Sequence, residues 1–465
     1  MNRKPESSTR EINGLLSRRS LLQTASCGFG YMALMGMCGE AAARDDTYKN
    51  PLAVRPSHFK PSAKRVIFLF MQGGPPQVDT FDYKPQLQKN HGKKTGKGSL
   101  MASPFKFKPS GKSKLPISEV FPNLSKHADD LCLLNGMHTT NPAHPQATIL
   151  AHTGSLNFVR PSVGSWVLYG LGTENNDLPG FITINPPNRL GGAQNYGSAF
   201  LPACFQGTPI GGQAGNSLPN LYNRQLTSGQ QRKQLDLVQK MNRELRERSG
   251  VNDELDGVIE SFELAFRMQG KVPEVMDIKN ESQKTLENYG IGRGKASDAF
   301  GKQCLMARRF AENGVRYIEV HHGGWDLHNG LKAKLTKNAA STDAPIAGLL
   351  SDLKERGLLK DTLVVWGGEF GRTPAGQSAK GDGRRHNNRG YSMWMAGGGI
   401  RGGMRYGATD EFGDTAIKGK IHIHDLHATM LHQLGLHHEK LTYKYAGRDF
   451  RLTDVYGNVV KEILS

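Results

Sequence analysis

Lys64-Arg65-Val66-Ile67-Phe68-Leu69-Phe70-Met71-Gln72-Gly73-Gly74-Pro75-Pro76 is the stretch whose reading decides the fold. The apolar run 66–71 has no polar break, and glycine and proline close it. A short continuous apolar run of this kind reads as a strand buried on both faces, the position of a central strand in a parallel sheet. Working outward, the same sign recurs at Leu131–Leu134, Phe181–Asn185, Val315–Val320, Thr362–Trp366 and Tyr391–Ala396. Helical stretches lie among them at 221–248, 254–268, 299–313, 343–356 and 424–434. Strands alternating with helices predict an α/β fold, a central and mostly parallel sheet sandwiched by helices.

In such sheets polar chemistry gathers beyond the carboxyl ends of the strands. Asp79 and Asp82 follow the first strand, His322, Asp326 and His328 follow a later one, and Glu369 and Arg372 follow the next. Asp326 and His328 stand two apart, so an extended turn lets them share one metal ion. The bland reading of 322–328 is a polar loop whose histidines cap backbone groups. His424 and His427 share a helix face beside His422 and Asp425, where N-capping by His424 or Asp425 competes with a site. Gly397–Gly403 lacks the lysine and Ser/Thr of a phosphate loop and reads as a tight turn. Neither G-x-S-x-G nor H-E-x-x-H occurs.

Composition bounds the function. The 465 residues are 37% hydrophobic and 22% charged, which excludes a disordered or fibrous chain. Glycine, 56 residues, is well above the usual share of roughly 7%, so turns and loops are many. The net charge is +18, yet the lysines are spread out, with a modest cluster over 93–114 and no aromatic pattern of an RNA-binding sheet. An anionic substrate or polymer fits better than nucleic acid.

The first 43 residues read as an address. Arg18-Arg19 precede an uncharged stretch, Leu21–Gly39, and Ala41-Ala42-Ala43 suits a signal peptidase. Paired arginines before a weakly apolar segment resemble a twin-arginine signal, which places the chain in the periplasm or cell envelope. Its removal takes five basic and three acidic residues and lowers the charge to +16. Cys132, Cys204 and Cys304 remain, far apart and odd in number, so no disulfide framework or zinc knuckle is implied. No apolar run after the leader is long enough to span a bilayer. Residues 44–63 read as a linker and 64–465 as one domain.

Four motifs stand in order: Met71-Gln72-Gly73-Gly74-Pro75-Pro76-Gln77-Val78-Asp79-Thr80-Phe81-Asp82, Gly323-Gly324-Trp325-Asp326-Leu327-His328, Gly368-Glu369-Phe370-Gly371-Arg372-Thr373-Pro374 and His424-Asp425-Leu426-His427-Ala428-Thr429-Met430-Leu431. Together with the closing Tyr445-Ala446-Gly447-Arg448-Asp449-Phe450, they resemble the exported, planctomycete-type DUF1501 family, placed with the alkaline phosphatase and sulfatase superfamily. The resemblance implies metal-dependent hydrolysis of phosphate or sulfate esters. It implies a divalent ion (Zn, Mn, Ca or Mg) held by Asp79, Asp326, His328, Glu369 and His386. The superfamily's Asp-His-Gly is here Glu369-Phe370-Gly371, and Phe370 cannot ligate. His144 falls at the nucleophile position, where sulfatases carry Cys or Ser, and no Cys-x-Pro-x-Arg occurs. His144 or a nearby threonine is thus the nucleophile candidate, and Arg372 is a further catalytic candidate; His144 can attack phosphorus, bind metal or hold the loop. The alternative is a catalytically silent relative that binds an anionic ligand or a partner in the envelope.

Overall fold

The computed structural model describes residues 50–96, 98–211, 221–223, 225–250, 252–292, 294–377 and 382–465. The leader read at 1–43 lies outside the described residues. A nine-stranded sheet organises the chain. Its strands are β1 (Arg65–Met71), β2 (Leu131–His138), β3 (Phe181–Ile184), β4 (Thr208–Ile210), β5 (Tyr317–His322), β6 (Thr362–Gly367), β9 (Tyr391–Ala396), β10 (Met404–Tyr406) and β11 (Ile421–His422). A separate hairpin joins β7 (Gly371–Gly376) to β8 (Arg384–Asn387). The sheet order is β10-β2-β9-β6-β1-β5-β3-β4, with β11 also on β2.

β1 is buried at every residue and pairs in parallel with β5 on one side and β6 on the other. That is the environment its unbroken apolar run requires. The sheet is mixed and mostly parallel: β9 alone runs antiparallel to its neighbours, β6 and β2. The physical reason is the connection, since the β7–β8 hairpin replaces the crossover helix that a parallel strand needs.

Helices cover both faces. Side chains alternate along β5, so Glu319 and His321 leave one face and Val320 and His322 the other. On the first face sits α1 (His144–Thr153), whose His152 ring packs 4.5 Å from that of Phe70. On the second lie α5 (Asp298–Glu312) and α6 (Leu331–Glu355), which supply Phe300 and Ser341 to His322. The helix read at 343–356 therefore begins twelve residues earlier, at Leu331. Leu331, Leu335, Ala339 and Thr342 form the buried stripe that carries this extension. Further long helices are α2 (Val163–Leu171), α3 (Ser228–Ser249), α4 (Asp253–Met276) and α7 (Ile423–Gln433). Among the described residues no helix is long and apolar enough to cross a membrane.

Two segments flanking β1 are tied to the body. Within the stretch read as a linker, Leu52 and Ala63 are buried, and Thr173 N donates to Leu52 O at 2.9 Å. The basic excursion after Pro85 buries Leu87, Leu100, Met101, Phe105, Leu115 and Ile117.

Candidate metal centre

The loops after β1, β5 and β6 meet at one edge of the sheet, joined there by the first turn of α1 and by β8. Gly73 shows how closely they approach. Its φ is +118°, and a Cβ there would stand 2.4 Å from the backbone nitrogen of Asp326, so only glycine fits.

Asp326 is the hub. Its Oδ1 lies 2.9 Å from His328 Nε2 and 3.4 Å from both His144 Nε2 and His386 Nε2, and it also accepts from Arg372. His328 Nε2 and His386 Nε2 face each other at 2.9 Å. The ligand atoms of His144, Asp326 and His386 all lie within 4.8 Å of one another. The edge is open to solvent, with the Asp326 side chain 46% exposed.

The far side of each imidazole is equally defined. His144 Nδ1 donates to Glu369 Oε1 at 2.5 Å, His386 Nδ1 to Pro142 O at 2.8 Å, and His328 Nδ1 to Gln377 Oε1. An imidazole that donates through Nδ1 keeps its lone pair on Nε2, so all three lone pairs turn towards Asp326 Oδ1. This is the outer arrangement that orients metal-ligating histidines. His144 Nε2 is buried without a hydrogen-bond partner. Three imidazoles and one carboxylate fit a borderline divalent ion such as Zn²⁺ or Mn²⁺, whereas Ca²⁺ and Mg²⁺ prefer all-oxygen shells.

Electrostatics point the same way. Partial burial alone would raise the Asp326 carboxyl, but His144, His386 and Arg372 outweigh it and hold it well below the usual carboxylate range. Burial alone would lower His144, yet Asp326 and Glu369 raise it to about 9. The pocket thus attracts positive charge, and a proton on His144 answers that attraction when no metal does.

Three sequence-stretch expectations meet different surroundings. Asp79 is fully buried and both of its oxygens are taken by Arg384, at 2.7 and 3.0 Å, so it anchors β8 rather than joining the imidazoles. Glu369 is also buried and accepts Gly73 N at 2.9 and 3.1 Å besides His144, so it supports a ligand without facing the centre of the cluster. Arg372, read as catalytic, has a fully buried side chain. Its guanidinium donates to the carbonyls of Gly73, Gly74 and Arg384 and to Asp326, so it positions loops. Asp326, His328 and His386 are brought together, with His144 among them.

Sequence reasoning gave no role at the site to four residues. Phe370, which cannot ligate, packs its ring 4.7 Å from His144 and 4.8 Å from His386 and fixes both. Gln77 donates to the carbonyls of Arg372 and Gly413 at 2.7 and 2.8 Å and accepts from Arg372 N. Gln377 and Arg384 complete the set. None carries a local signal, because each acts on a partner distant in sequence or across the hairpin. The 422–427 histidines resolve as caps. The N-cap of α7 is His422, two residues before the helix position read for it at His424, with Asp425 at the third helical position closing a capping box. His424 and His427 donate to Gly154 O and Ala151 O at the end of α1.

A family profile described as "Protein of unknown function (DUF1501)" matches residues 63–464. No curated protein matches the sequence. Among solved structures, the chain is similar to the lipoteichoic acid synthase LtaP from Listeria monocytogenes, at 9% identity and TM-score 0.37, covering 86% of this chain and 78% of that one. It is similar to a protein of the alkaline phosphatase superfamily from Vibrio parahaemolyticus, at 10% identity and TM-score 0.36, covering 87% and 75%. A third is the C-terminal periplasmic domain of EcEptC from Escherichia coli in complex with Zn, at 10% identity and TM-score 0.36, covering 82% and 87%. Likeness at this level carries no chemistry across.

Proposed function

The chain belongs to the DUF1501 family, defined without an assigned activity, and we propose that this member is an exported, metal-dependent hydrolase of phosphate or sulfate esters. One observation carries the reading. Three Nε2 lone pairs and Asp326 Oδ1 converge at a solvent-open edge, each imidazole locked from behind by an acceptor. His144, Asp326, His328 and His386 would hold the ion. When bound, such an ion supplies Lewis acidity towards an ester oxygen and acidifies water.

The protein's own groups do the rest. Glu369 keeps the His144 tautomer, Arg372 holds Asp326 and the Gly73-Gly74 loop, and the Asp79–Arg384 pair fixes the strand bearing His386. His144 acts here as a ligand, and its Nε2 is then not free to attack phosphorus. The open edge and the surplus of basic residues favour an anionic ester. The Arg18-Arg19 leader supports delivery to the periplasm or envelope after folding.

The test is direct. Protein loaded with Zn²⁺ or Mn²⁺ should hold an ion at this edge and hydrolyse p-nitrophenyl phosphate or p-nitrophenyl sulfate, and Asp326→Asn with His386→Ala should lose the ion at this edge together with the hydrolysis. Metal-loaded protein that turns over neither ester would leave the anion-binding reading in its place.

A further inference from the structure

A second cluster lies under the open edge and takes no part in the site above. His152 of α1 and Glu319 and His321 of β5 are all buried, and their ligand atoms lie within 4.8 Å of one another. Glu319 and His321 are two apart on a strand, so both leave the same face, which α1 covers. Phe68 and Phe70 of β1 form the apolar wall, with Phe70 5.5 Å from the ring of His321.

The polar atoms here face one another around the Glu319 carboxylate. His152 Nδ1 donates to Thr148 O at 2.7 Å, which leaves the lone pair of the neutral ring on Nε2, 2.8 Å from Glu319 Oε1. His321 Nε2 is 3.3 Å from Glu319 Oε2. Among the described residues, the Glu319 oxygens are met by these two imidazoles alone, and His321 Nδ1 has no hydrogen-bond partner. Thr183, which stands beside Glu319 across the β3–β5 register, and Thr148 also bury hydroxyls without a partner. Buried polar groups are otherwise paired in roughly nine cases of ten or more, so a buried two-imidazole, one-carboxylate cluster beside unpartnered hydroxyls calls for an occupant.

We propose that this is a second metal site, closed to solvent, which binds Zn²⁺ through His152 Nε2, His321 Nε2 and the Glu319 carboxylate. Two imidazoles and a carboxylate are a zinc donor set. Adjoining ligands at bond lengths of about 2.0–2.2 Å stand roughly 3.3–3.6 Å apart in a tetrahedral shell. The His321–Glu319 spacing fits as it stands, and the His152–Glu319 spacing opens by about half an ångström.

The site has a structural consequence. α1 begins at His144 and carries His152 eight residues on, about 12 Å along the helix axis. β5 carries Glu319 and His321, and its following loop carries Asp326 and His328. An ion clamping His152 to β5 therefore fixes His144 against Asp326 from below. This inference does not depend on ester hydrolysis.

The experiment uses the whole chain saturated with Zn²⁺ and dialysed. Elemental analysis should give two zinc ions per chain, Glu319→Gln should leave one, and Asp326→Asn with His386→Ala should also leave one. An anomalous difference map at the zinc edge of the wild-type protein should show a peak between His152 and Glu319, and it decides the matter if Glu319→Gln fails to fold. No peak there, or a zinc count indifferent to Glu319→Gln, overturns the proposal and assigns the cluster to a proton shared between His152 and Glu319. Loss of the peak at Asp326 alone would count against the ester hydrolase and leave the closed site standing.

Discussion

His144 Nδ1 and Glu369 Oε1 stand 2.5 Å apart across 225 residues of sequence. The same carboxylate accepts Gly73 N with both oxygens, so one buried group ties the start of α1, the loop after β1 and the end of β6. This accounts for a carboxylate at 369 beside a phenylalanine at 370: one orients His144, the other packs it against His386.

Glu369→Gln should therefore weaken metal without removing a ligand. Losing an outer hydrogen-bond partner of a ligating histidine costs roughly 10–100-fold in metal affinity. Competition with a coloured chelator measures it. An affinity equal to that of the wild type would mean that the His144–Glu369 contact does not orient a ligand.

Asp79→Asn tests the opposite assignment. The substitution leaves the Arg384 guanidinium charged and buried, which costs about 3–5 kcal/mol. Urea unfolding should show that loss, while the folded fraction keeps its metal stoichiometry. Unchanged stability with reduced metal would return Asp79 to the metal.

How much of this was legible follows from where each signal lies. The positions of Asp326, His328 and Glu369 at one edge were readable because each follows an apolar run that is a strand, and such ends share an edge; the outer role of Glu369 was not. The β7–β8 hairpin was not readable. Gly371-Arg372-Thr373-Pro374-Ala375-Gly376 has no alternation and contains proline, so its pairing is imposed by tertiary contacts: Gln77 on Arg372 and Asp79 on Arg384. Arg372 and His386 stand opposite each other in that register, so the role of Arg372 could not be read until the hairpin was seen. Asp79 marks the limit of such reading, because a carboxylate after a first strand looks alike whether it meets a metal or, as here, a guanidinium.

The leader carries its own expectation. Arg18→Lys with Arg19→Lys should retain the full-length chain in the cytoplasm, seen by fractionation. Undiminished export of the double variant would exclude the twin-arginine route.

Acid should loosen the α7–α1 junction. Burial, reinforced by the neighbouring His424, pushes His427 down to about 3. The unfolded chain binds its proton near pH 6.5, so between those values the unfolded state holds more protons and stability rises with pH. Falling from pH 6.5 to 4.5 should remove about 2 kcal/mol through this group. His427→Gln should flatten that part of the slope in urea unfolding at the two pH values. An unaltered slope would show that His427 titrates normally.

Arg372→Lys separates positioning from catalysis. The buried guanidinium donates to the carbonyls of Gly73, Gly74 and Arg384 and to the Asp326 carboxylate at once. An ammonium is a single point on a flexible stem and cannot serve all four in a plane. Asp326 should then lose its fixed orientation, and metal affinity should fall about tenfold or more. Once metal is saturating, KM for an ester substrate should stay near its wild-type value, because the residue 372 side chain is shut away from solvent. A raised KM with metal affinity intact would instead place the guanidinium on the substrate, and Arg372 would be catalytic after all.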